Sequence, residues 1–352
     1  MALTQELRFT HVASGTRIAW ARTGKGPALV RAAHWMTHVE HDLRSAIWRP
    51  WLERLGRDVT LIRYDARGCG LSAKDETKPT PEAAVEELSA VVDAAGLERF
   101  ALLGISAGSA TAITYAAAHP ERVSRLVILG GFGCGLMARA PSARAVEYRD
   151  ALLRVMEMGW GRDNPAVQQF FTTSMVPDAT PDQAAALNEQ QRVACDGARA
   201  AATLRAADQS DVRPLLPALR VETFVVHAEG DAMVPVDYGR ELAAAIPGAR
   251  FESLATRNHV PLAGEPAFER FCEIIADFVA EKPAPAGFDG TPRERELLLA
   301  VAQGLDNLQI AARLGIAEKT VRNALSRLYA RLGVEGRPQA IVRARELGFG
   351  RE

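Results

Sequence analysis

The chain has 352 residues, a length typical of about two domains, although a single α/β domain can reach about 250 residues. Hydrophobic residues make up 48% and charged residues 24% of the chain, which excludes an intrinsically disordered protein. The 42 basic and 43 acidic residues give a net charge of −1, so the whole-chain average predicts no polyanionic partner.

Cysteine usage and the first residues indicate the compartment. The four cysteines are scattered and form no CxxC pair, which argues against a disulfide framework or a thiolate zinc site. Met1–Glu6 lacks the basic patch and apolar core of a signal peptide. The uncharged stretch Phe100–Ala118 contains Gly, Ser and Thr, so a strand, a turn and a helix explain it better than a membrane helix does. We expect a cytoplasmic protein that has no membrane segment and needs no cofactor or metal.

Short apolar runs alternate with helix-length segments over the first 280 residues. Alternating strands and helices favour βαβ units and a mostly parallel sheet, which is an α/β fold. The predicted strands are Ala28–Ala32, Val59–Tyr64, Phe100–Ile105, Leu126–Leu129, Thr223–His227 and Arg250–Leu254. The predicted helices between them include Pro81–Ala95, Ala107–His119 and Tyr238–Ile246.

Strand-like sequence disappears over residues 135–214. This segment is rich in Ala, Arg and Gln, with breaks at Gly159 and Pro177, and we interpret it as a helical cap above the sheet. Its aromatic residues at helical spacing either line a pocket or pack in the core of the cap, and we favour the core. They are Trp160, Phe170 and Phe171.

A break in composition divides the chain near residue 282. Residues 281–287 contain two prolines and one glycine, which predicts a linker over 282–290 between domains at 1–281 and 291–352. From residue 288 onward the chain has 11 basic and 8 acidic residues, a net charge of +3, which leaves −4 for the rest. The near-neutral average therefore conceals a basic domain joined to an acidic one.

A nucleophile motif follows the strand that ends at Ile105. Residues 104–108 read Gly-Ile-Ser-Ala-Gly and match G-x-S-x-G, a sharp strand-to-helix turn that raises the serine above the sheet. The flanking glycines are needed because side chains there would collide with the packed helix and strand. The helix N-terminus directs the Ala107 amide toward a developing oxyanion. A turn of small residues that only packs closely is the structural alternative.

Candidate partners for Ser106 lie later in the chain. A serine hydroxyl needs an imidazole to accept its proton, and the imidazole needs a carboxylate to fix its tautomer. Asp231 and His259 each follow a predicted strand, where open α/β sheets build their sites. The order Ser106, Asp231, His259 is the one expected on this architecture. We interpret His119, at a helix end, and His227, inside a strand, as structural.

Residues 1–281 resemble an α/β-hydrolase. The segment Tyr64–Ser72 matches the D-x-R-G-x-G-x-S turn of that superfamily, in addition to the serine motif and its two partners. The resemblance implies a mostly parallel sheet beneath a helical cap. It also implies a catalytic triad of Ser106, Asp231 and His259.

One loop departs from the pattern of this superfamily. The usual His-Gly after the third strand is replaced by His34-Trp35-Met36, so a bulky side chain stands where glycine is expected. The resemblance implies that Met36 and Ala107 supply the two oxyanion amides. Trp35 changes the backbone freedom of this loop, and we expect it to alter the geometry of the oxyanion hole and the turnover.

The same loop has a histidine-rich pattern that allows a second interpretation. His34, His38 and His41, beside Asp42, could place imidazoles on one helical face as metal ligands. No nearby cysteine or second histidine pair completes such a site, and the loop resembles the third-strand loop of hydrolases. We therefore predict no metal site here.

The sequence of the basic domain predicts four short helices. Thr291 and Glu294 form a capping box at the first start, and Asp306 offers a second start whose helix ends at Gly315. A third helix is predicted over Glu318–Leu332 and a fourth over Pro338–Leu347. The two helices on either side of the turn at Gly315 form a helix-turn-helix outline.

The third of these helices has two distinct faces. Its apolar stripe consists of Val321, Leu325, Leu328 and Leu332. The opposite face carries Lys319, Thr320, Arg322, Asn323, Ser326 and Arg327. Cationic and amide side chains on one helix suit phosphate contacts and base-edge hydrogen bonds in a major groove. A solvated amphipathic helix is the alternative.

The whole basic domain closely resembles the LuxR-type DNA-binding domain. The matching segments are Thr291–Glu296, Ile310–Leu314, Glu318–Asn323 and Leu332–Val334. The resemblance implies that the fourth helix pairs two copies and that five side chains face double-stranded DNA. They are Lys319, Thr320, Arg322, Asn323 and Arg327. The sequence departs from the family at Ala317, where a capping serine is common, and at Ala324, where histidine is frequent.

These patterns support three functional hypotheses. The leading one is a LuxR-family transcriptional regulator, a homodimer whose α/β-hydrolase domain binds, and slowly hydrolyses, a small ester- or lactone-like ligand beneath the cap. The second is a working serine esterase with an accessory DNA-binding domain. The third, which we rank lowest because no triad residue is lost, is an inactive scaffold that dimerises the DNA-binding domain.

Overall fold

The computed structural model describes residues 3–74, 77–160, 165–280, 288, 290–347 and 349. The chain forms two compact units, Met1–Glu281 and Lys282–Glu352. The predicted linker, 282–290, lies outside the described residues except for Phe288 and Gly290. None of the described helices is both long and apolar enough to cross a membrane.

An eight-stranded sheet forms the centre of the first unit. Its strands are β1 Gln5–His11, β2 Arg17–Gly24, β3 Ala28–Arg31, β4 Thr60–Tyr64, β5 Phe100–Ile105, β6 Val123–Leu129, β7 Thr223–Ala228 and β8 Arg250–Leu254. Their order across the sheet is β1-β2-β4-β3-β5-β6-β7-β8. All neighbours from β4 to β8 in this order are parallel, whereas β2 is antiparallel to both β1 and β4. The predicted mostly parallel sheet is confirmed.

Nine helices are described in this unit. They are α1 Trp48–Leu55, α2 Pro81–Ala94, α3 Gly108–Ala118, α4 Ala143–Gly159, α5 Ala166–Met175, α6 Pro181–Ala194, α7 Gly197–Gln209, α8 Val236–Ala245 and α9 Pro266–Ala280. Short 3-10 turns cover His41–Leu43, Met137–Arg139 and Arg213–Ala218. Helices α4 to α7 lie between β6 and β7 in the chain, within the segment predicted to be a helical cap.

Helices cover the sheet on both faces. The central strand β5 is therefore buried on both sides, which explains why its sequence is apolar throughout. Every residue of Phe100–Ile105 is buried. Successive side chains of a strand point to opposite faces, so Leu102 packs in the core beneath α2, α3 and α8, and Leu103 packs in the core beneath α1 and α9. The carboxyl end of this doubly covered strand carries the serine motif.

The two N-terminal strands were not predicted from the sequence. β1 is an edge strand whose residues are all exposed or half-buried, so it has no apolar run to mark it. β2 is buried over much of its length, but its sequence, Arg-Ile-Ala-Trp-Ala-Arg-Thr-Gly, is interrupted by arginines. Both strands pair through the antiparallel register Gln5–Thr23 to His11–Arg17.

The second unit contains four described helices around its own core. They are α10 Pro292–Ala302, α11 Asn307–Leu314, α12 Glu318–Leu332 and α13 Arg337–Glu346. The predicted capping box of Thr291 and Glu294 is present, and Asp306 forms a second one with Gln309. Gly315 ends α11 in the left-handed conformation, with a φ of 62°. The helix-turn-helix outline predicted from the sequence is therefore confirmed.

Candidate active site and candidate DNA-binding surface

Ser106 lies on a strained turn between β5 and α3. Its φ is 51°, in the left-handed region that residues other than glycine rarely adopt. The backbone of Ser106 is fixed by a hydrogen bond of 2.9 Å from its amide to the carbonyl of Leu129. Such strain at a serine directly after a buried strand is the geometry of a nucleophile elbow.

The flanking glycines have the steric role expected of them. A Cβ on Gly104 would lie 2.8 Å from Ser109 Cα, and a Cβ on Gly108 would lie 2.9 Å from the Ala33 carbonyl oxygen. Both distances are shorter than normal carbon contacts, so side chains there would push α3 away from the sheet. The prediction that these glycines allow close packing around Ser106 is confirmed.

The structure brings Asp231 and His259 into direct contact. His259 Nδ1 donates to Asp231 Oδ2 at 2.6 Å, and both side chains are buried. Asp231 Oδ1 accepts the amides of Met233 and Val234, each at 2.9 Å. A neutral imidazole that donates from Nδ1 has its unprotonated nitrogen at Nε2. This nitrogen is buried and has no hydrogen-bond partner among the described residues.

Asp231 is held as a carboxylate. Burial alone would raise its pKa, but the neighbouring His259 and hydrogen bonds from His227, His259 and the Val234 amide hold the pKa well below its ordinary value. His227 Nε2 lies 3.4 Å from Asp231 Oδ2 and 2.9 Å from the Val234 carbonyl oxygen. His227 therefore supports the Asp231 loop, a role that its position inside a strand does not reveal in the sequence.

A cavity of about 200 Å³ brings Ser106 and His259 to one surface. Its walls come from the sheet edge and from the cap, and they are mostly apolar. The lining residues are Trp35, Ser106, Ala107, Phe132, Cys134, Gly135, Leu136, Arg149, Phe171, Met175, Leu204, Ala207, Asp208, Met233, Val234, Pro235, Tyr238 and His259. An apolar cleft that ends at a serine and an imidazole suits a small apolar molecule with a reactive carbonyl.

The aromatic residues of the cap differ in their roles. Trp160 and Phe171 are buried in the cap core, as favoured from the sequence, and Phe171 also lines the cavity. Phe170 is 45% exposed, so the expectation that it packs in the core or lines a pocket is wrong. Trp35, which replaces the usual glycine, joins this group, with its ring centroid 5.7 Å from that of Phe171 and 6.0 Å from that of Trp160.

The two residues expected to supply the oxyanion amides differ in position, because Ala107 lines the cavity, whereas Met36 is buried and is not among the described residues that line it. Neither the Met36 amide nor the Ala107 amide donates a hydrogen bond to another described residue. Met36 has a φ of 49°, so this loop is strained even though Trp35 precedes it. The carbonyl oxygen of Met36 accepts a hydrogen bond from Gln190 Nε2 at 3.1 Å. The sulfur of Met36, Sδ, lies 3.1 Å from Cys195 Sγ. Contacts from the cap therefore hold the loop in this strained conformation.

The histidines of this loop have other neighbours. His34 stacks on Trp48, with 5.1 Å between ring centroids. His38 Nδ1 accepts the amide of His41 at 3.2 Å. Asp42 forms buried ion pairs with Arg63 and Arg31. Among the described residues no cluster of three or more His, Cys, Asp or Glu side chains could hold a metal ion.

Two features of the site were missed in the sequence. Gly130, at the end of β6, has a φ of 59°, and a Cβ there would lie 2.7 Å from His259 Cε1. A single glycine after a strand is common, so the sequence does not show that Gly130 has a positive φ or that it lies against His259. In the cap, Arg149 Nε lies 3.4 Å from Asp208 Oδ2, and both residues line the cavity. Charged residues are frequent on α4, so nothing singled out Arg149.

Helix α12 presents the predicted cationic side chains at its surface. Val321, Leu325 and Leu328 are buried in the core of the second unit. The five residues expected to face DNA are all exposed, namely Lys319, Thr320, Arg322, Asn323 and Arg327. Ala317 makes no side-chain cap, as its sequence implies.

The exposed cations of α12 differ in their partners. Arg322 donates to Glu318 at 2.9 Å, an ion pair within the helix. Lys319 and Arg327 form no ion pair with any residue in the described part of the chain. These two side chains are therefore the ones that can reach an external anion without breaking an internal ion pair.

Comparison with known proteins identifies the fold family of the first unit. The α/β-hydrolase-fold family matches residues 43–266, well over half of the chain. A 2-hydroxymuconate semialdehyde hydrolase from Pseudomonas putida is 27% identical over 233 residues, which cover 64% of this chain and 78% of that protein. The crystal structure of a hydrolase from Pseudomonas aeruginosa PA01 shares the fold, with a TM-score of 0.65 and 22% identity. That similarity covers 78% of this chain and 98% of the other.

A second set of matches covers the C-terminal helices. The luxR family of bacterial regulatory proteins matches residues 291–344. The DNA-binding transcriptional activator DevR/DosR of Mycobacterium tuberculosis is 56% identical over 57 residues, which cover 16% of this chain and 26% of that protein. The chain therefore belongs to the α/β-hydrolase-fold family and carries a LuxR-type DNA-binding domain after its hydrolase-fold domain.

Proposed function

We propose that this protein is a transcriptional regulator whose α/β-hydrolase-fold domain binds a small ester or lactone and thereby changes the DNA affinity of the LuxR-type domain. The observation that carries the proposal is the cavity lined by both Ser106 and His259, in a chain that also exposes Lys319 and Arg327 on α12. One domain is suited to a small apolar carbonyl compound and the other to duplex DNA.

The arrangement of the cavity defines how a ligand is held. The carbonyl oxygen faces the free amides of Met36 and Ala107, and the carbonyl carbon lies against Ser106 Oγ. The apolar walls, which include Trp35 and Phe171, take the hydrocarbon part of the ligand. A ligand in this position contacts both the sheet edge and the cap, so binding is tied to the conformation of the whole first unit.

Slow hydrolysis by the same groups would reset the sensor. His259 Nε2 takes the proton of Ser106 as Oγ attacks the carbonyl carbon, and it then gives that proton to the departing alkoxide, leaving an acyl-serine. Water then attacks the acyl carbon, gives one proton to Nε2 and releases the acid, and the proton returns to Ser106. Asp231 keeps the imidazole in the required tautomer throughout.

The DNA-binding form is proposed to be a homodimer paired through α13. Val342 on this helix is an exposed aliphatic side chain, with 57% of its surface accessible. It lies in a surface groove with Val334, Pro338, Gln339 and Arg343. Two copies joined here would present two α12 helices to two half-sites.

Titration of DNA affinity with ligand tests the regulatory proposal. A duplex enriched by the protein from a random pool is titrated at one fixed salt concentration, with and without a panel of aryl acetates and γ-lactones. The Ser106→Ala variant is included so that the ligand persists. We expect at least one compound to shift the dissociation constant several-fold, and an unchanged constant across the panel would reject the coupling.

A serine esterase with an accessory DNA-binding domain is the second candidate. The observation that favours it is the 2.6 Å contact between His259 and Asp231 with Nε2 left free. Steady-state hydrolysis of p-nitrophenyl acetate separates the two candidates. Fast turnover that disappears in Ser106→Ala favours the esterase, whereas turnover slower than DNA dissociation favours the sensor.

A further inference from the structure

The cavity has a charged group on its cap side that hydrolysis does not use. Arg149 on α4 and Asp208 on α7 are the Arg and Asp side chains among its described lining residues, and the remaining wall is mostly apolar. Ser106 and His259 come from the sheet side of the same cavity. A ligand that fills the space therefore meets a reactive end and a charged end.

The contact between Arg149 and Asp208 leaves most of the hydrogen-bonding groups of these two side chains without a partner among the described residues. Arg149 Nε lies 3.4 Å from Asp208 Oδ2, and neither atom has a hydrogen bond of normal geometry among the described residues. Burial raises the pKa of Asp208 to about 6, and the nearby Arg149 only partly offsets it. The pair is poorly matched as a purely structural bridge.

A fully buried group of charges in the same unit shows what a structural bridge looks like here, whereas the Arg149 side chain is 22% exposed. Arg63 Nη1 donates to Asp42 Oδ2 at 2.8 Å and to the Val39 carbonyl oxygen at 3.0 Å. Arg31 donates to the same carboxylate at 3.2 Å. Buried charges of that kind compensate each other through several hydrogen bonds. Among the described residues Arg149 has no comparable set of acceptors, although it lies at the wall of an apolar cavity.

We propose that Arg149 binds a carboxylate of the ligand, so that the compound recognised by this protein is a small ester or lactone with a carboxylate directed at the cap. The inference rests on the proposed function, because it assigns the second end of a ligand whose carbonyl lies at Ser106. A guanidinium offers two parallel N–H donors to a carboxylate, which is the geometry that the long contact with Asp208 leaves open.

Asp208 is assigned a positioning role. Its carboxyl group holds the guanidinium at the cavity wall in the absence of ligand and competes with the ligand for it. A ligand carboxylate and an ionised Asp208 repel each other across one cation, so Asp208 limits the affinity while it is ionised. Arg149 and Asp208 should consequently affect carboxylate binding in opposite directions, which a structural bridge would not do.

Paired probes of equal length test this inference. Monomethyl adipate carries one ester and one free carboxylate, and dimethyl adipate carries two esters and no charge. Both are titrated against the full-length protein in the Ser106→Ala background, by calorimetry and by intrinsic tryptophan fluorescence, to which Trp35 at the cavity wall contributes. Monomethyl and dimethyl esters of glutarate and pimelate extend the comparison to shorter and longer spans.

The expected result is a preference for the charged probe at one of these lengths, about tenfold or more in dissociation constant. Arg149→Gln removes that preference, and Asp208→Asn increases it. Arg154→Gln, an exposed arginine on the same helix, is the matched control and leaves the preference unchanged. Thermal unfolding of each variant shows that the cap is intact.

Three outcomes would overturn the inference. If dimethyl esters bind while the charged probes have no advantage, the carboxylate assignment fails and the proposed function stands. If Arg149→Gln and Asp208→Asn weaken both probes equally, the pair is a structural bridge of the cap. Absence of binding by either probe at every length would reject the carboxylate assignment together with the proposed ester pocket.

Discussion

His259 Nδ1 lies 2.6 Å from Asp231 Oδ2, while Nε2 on the other side of the ring is buried and has no partner among the described residues. A carboxylate at one nitrogen fixes the proton there and leaves the other nitrogen as a base. This relationship joins two loops that are 28 residues apart in the chain and that follow neighbouring strands of one sheet.

Replacing the carboxylate tests the importance of this tautomer. Asp231→Asn keeps the size of the side chain but lets the ring hold its proton at Nε2, so we expect Ser106-dependent ester hydrolysis to fall on the order of 10³-fold or more. The measurement is p-nitrophenolate release under single-turnover conditions. Asp237→Asn, an exposed change on α8, is the control. Equal rates for wild type and Asp231→Asn would show that Asp231 has no such role.

Gly130 provides a steric test of the position of His259. A Cβ at this site would lie 2.7 Å from His259 Cε1, so Gly130→Ala should displace the ring and lower hydrolysis by about 10²-fold, with a loss of roughly 2–4 kcal/mol in stability. Gly248→Ala is the matched control, because Gly248 also has a positive φ but has nothing within 4 Å of the added carbon. It should cost about 1 kcal/mol and leave the rate intact. Similar rates for the two variants would contradict the proposed arrangement.

Parts of the fold could be predicted because one physical signal dominated them. β5 is buried on both faces, so its apolar run gives both ends of the strand correctly. α12 begins and ends where its sequence predicts, since Gly333 terminates it with a φ of 66°. β1 has no such signal, because an exposed edge strand needs no apolar face.

Only those residues of the candidate site that directly follow a strand could be predicted from the sequence. Ser106, Asp231 and His259 each follow a strand, and parallel strands place such loops at one edge. Arg149 and Asp208 come together through the packing of two cap helices, and the spacing of charges along α4 resembles that of any solvated helix. The requirement for glycine at position 130 arises from the position of the His259 ring, which belongs to another loop. The sequence around Gly130 does not indicate this contact.

Glu87 should make the stability of the first unit depend on pH. Burial raises its pKa to about 7, with Arg67 only partly offsetting this, so the folded state holds a proton that the unfolded state releases near its ordinary value. Its stabilising contribution is complete at low pH and is lost as pH rises through 7. Asp65, whose pKa burial also raises to about 7, acts in the same direction.

Urea unfolding at several pH values measures this effect. All five tryptophans lie before residue 161, so their fluorescence reports the first unit alone. Between pH 6 and 8 the wild type should lose stability, and Glu87→Gln should lose about 1–2 kcal/mol less. Glu82→Gln, at an exposed position on α2, should follow the wild type. A Glu87→Gln profile parallel to that of the wild type would refute the assignment.

The exposed cations of α12 should govern the salt dependence of DNA binding. Arg327→Gln removes the phosphate contact proposed for Arg327, so affinity for any duplex should fall, and the slope of log K against log salt should decrease by about 1. Arg154→Gln, an exposed arginine of the first unit, is the control. Fluorescence anisotropy from 50 to 300 mM salt gives both slopes. Identical slopes for Arg327→Gln and wild type would exclude Arg327 from the interface.

We propose that His259 activates the hydroxyl of Ser106, and reaction with a fluorophosphonate is the sharpest test of this role. Intact-mass and peptide mass spectrometry of the folded full-length protein should show one adduct, located on Ser106. The adduct should be absent from Ser106→Ala and should form far more slowly in His259→Gln. A folded protein that remains unlabelled, or that is labelled equally in Ser106→Ala, would show that Ser106 is not an activated nucleophile.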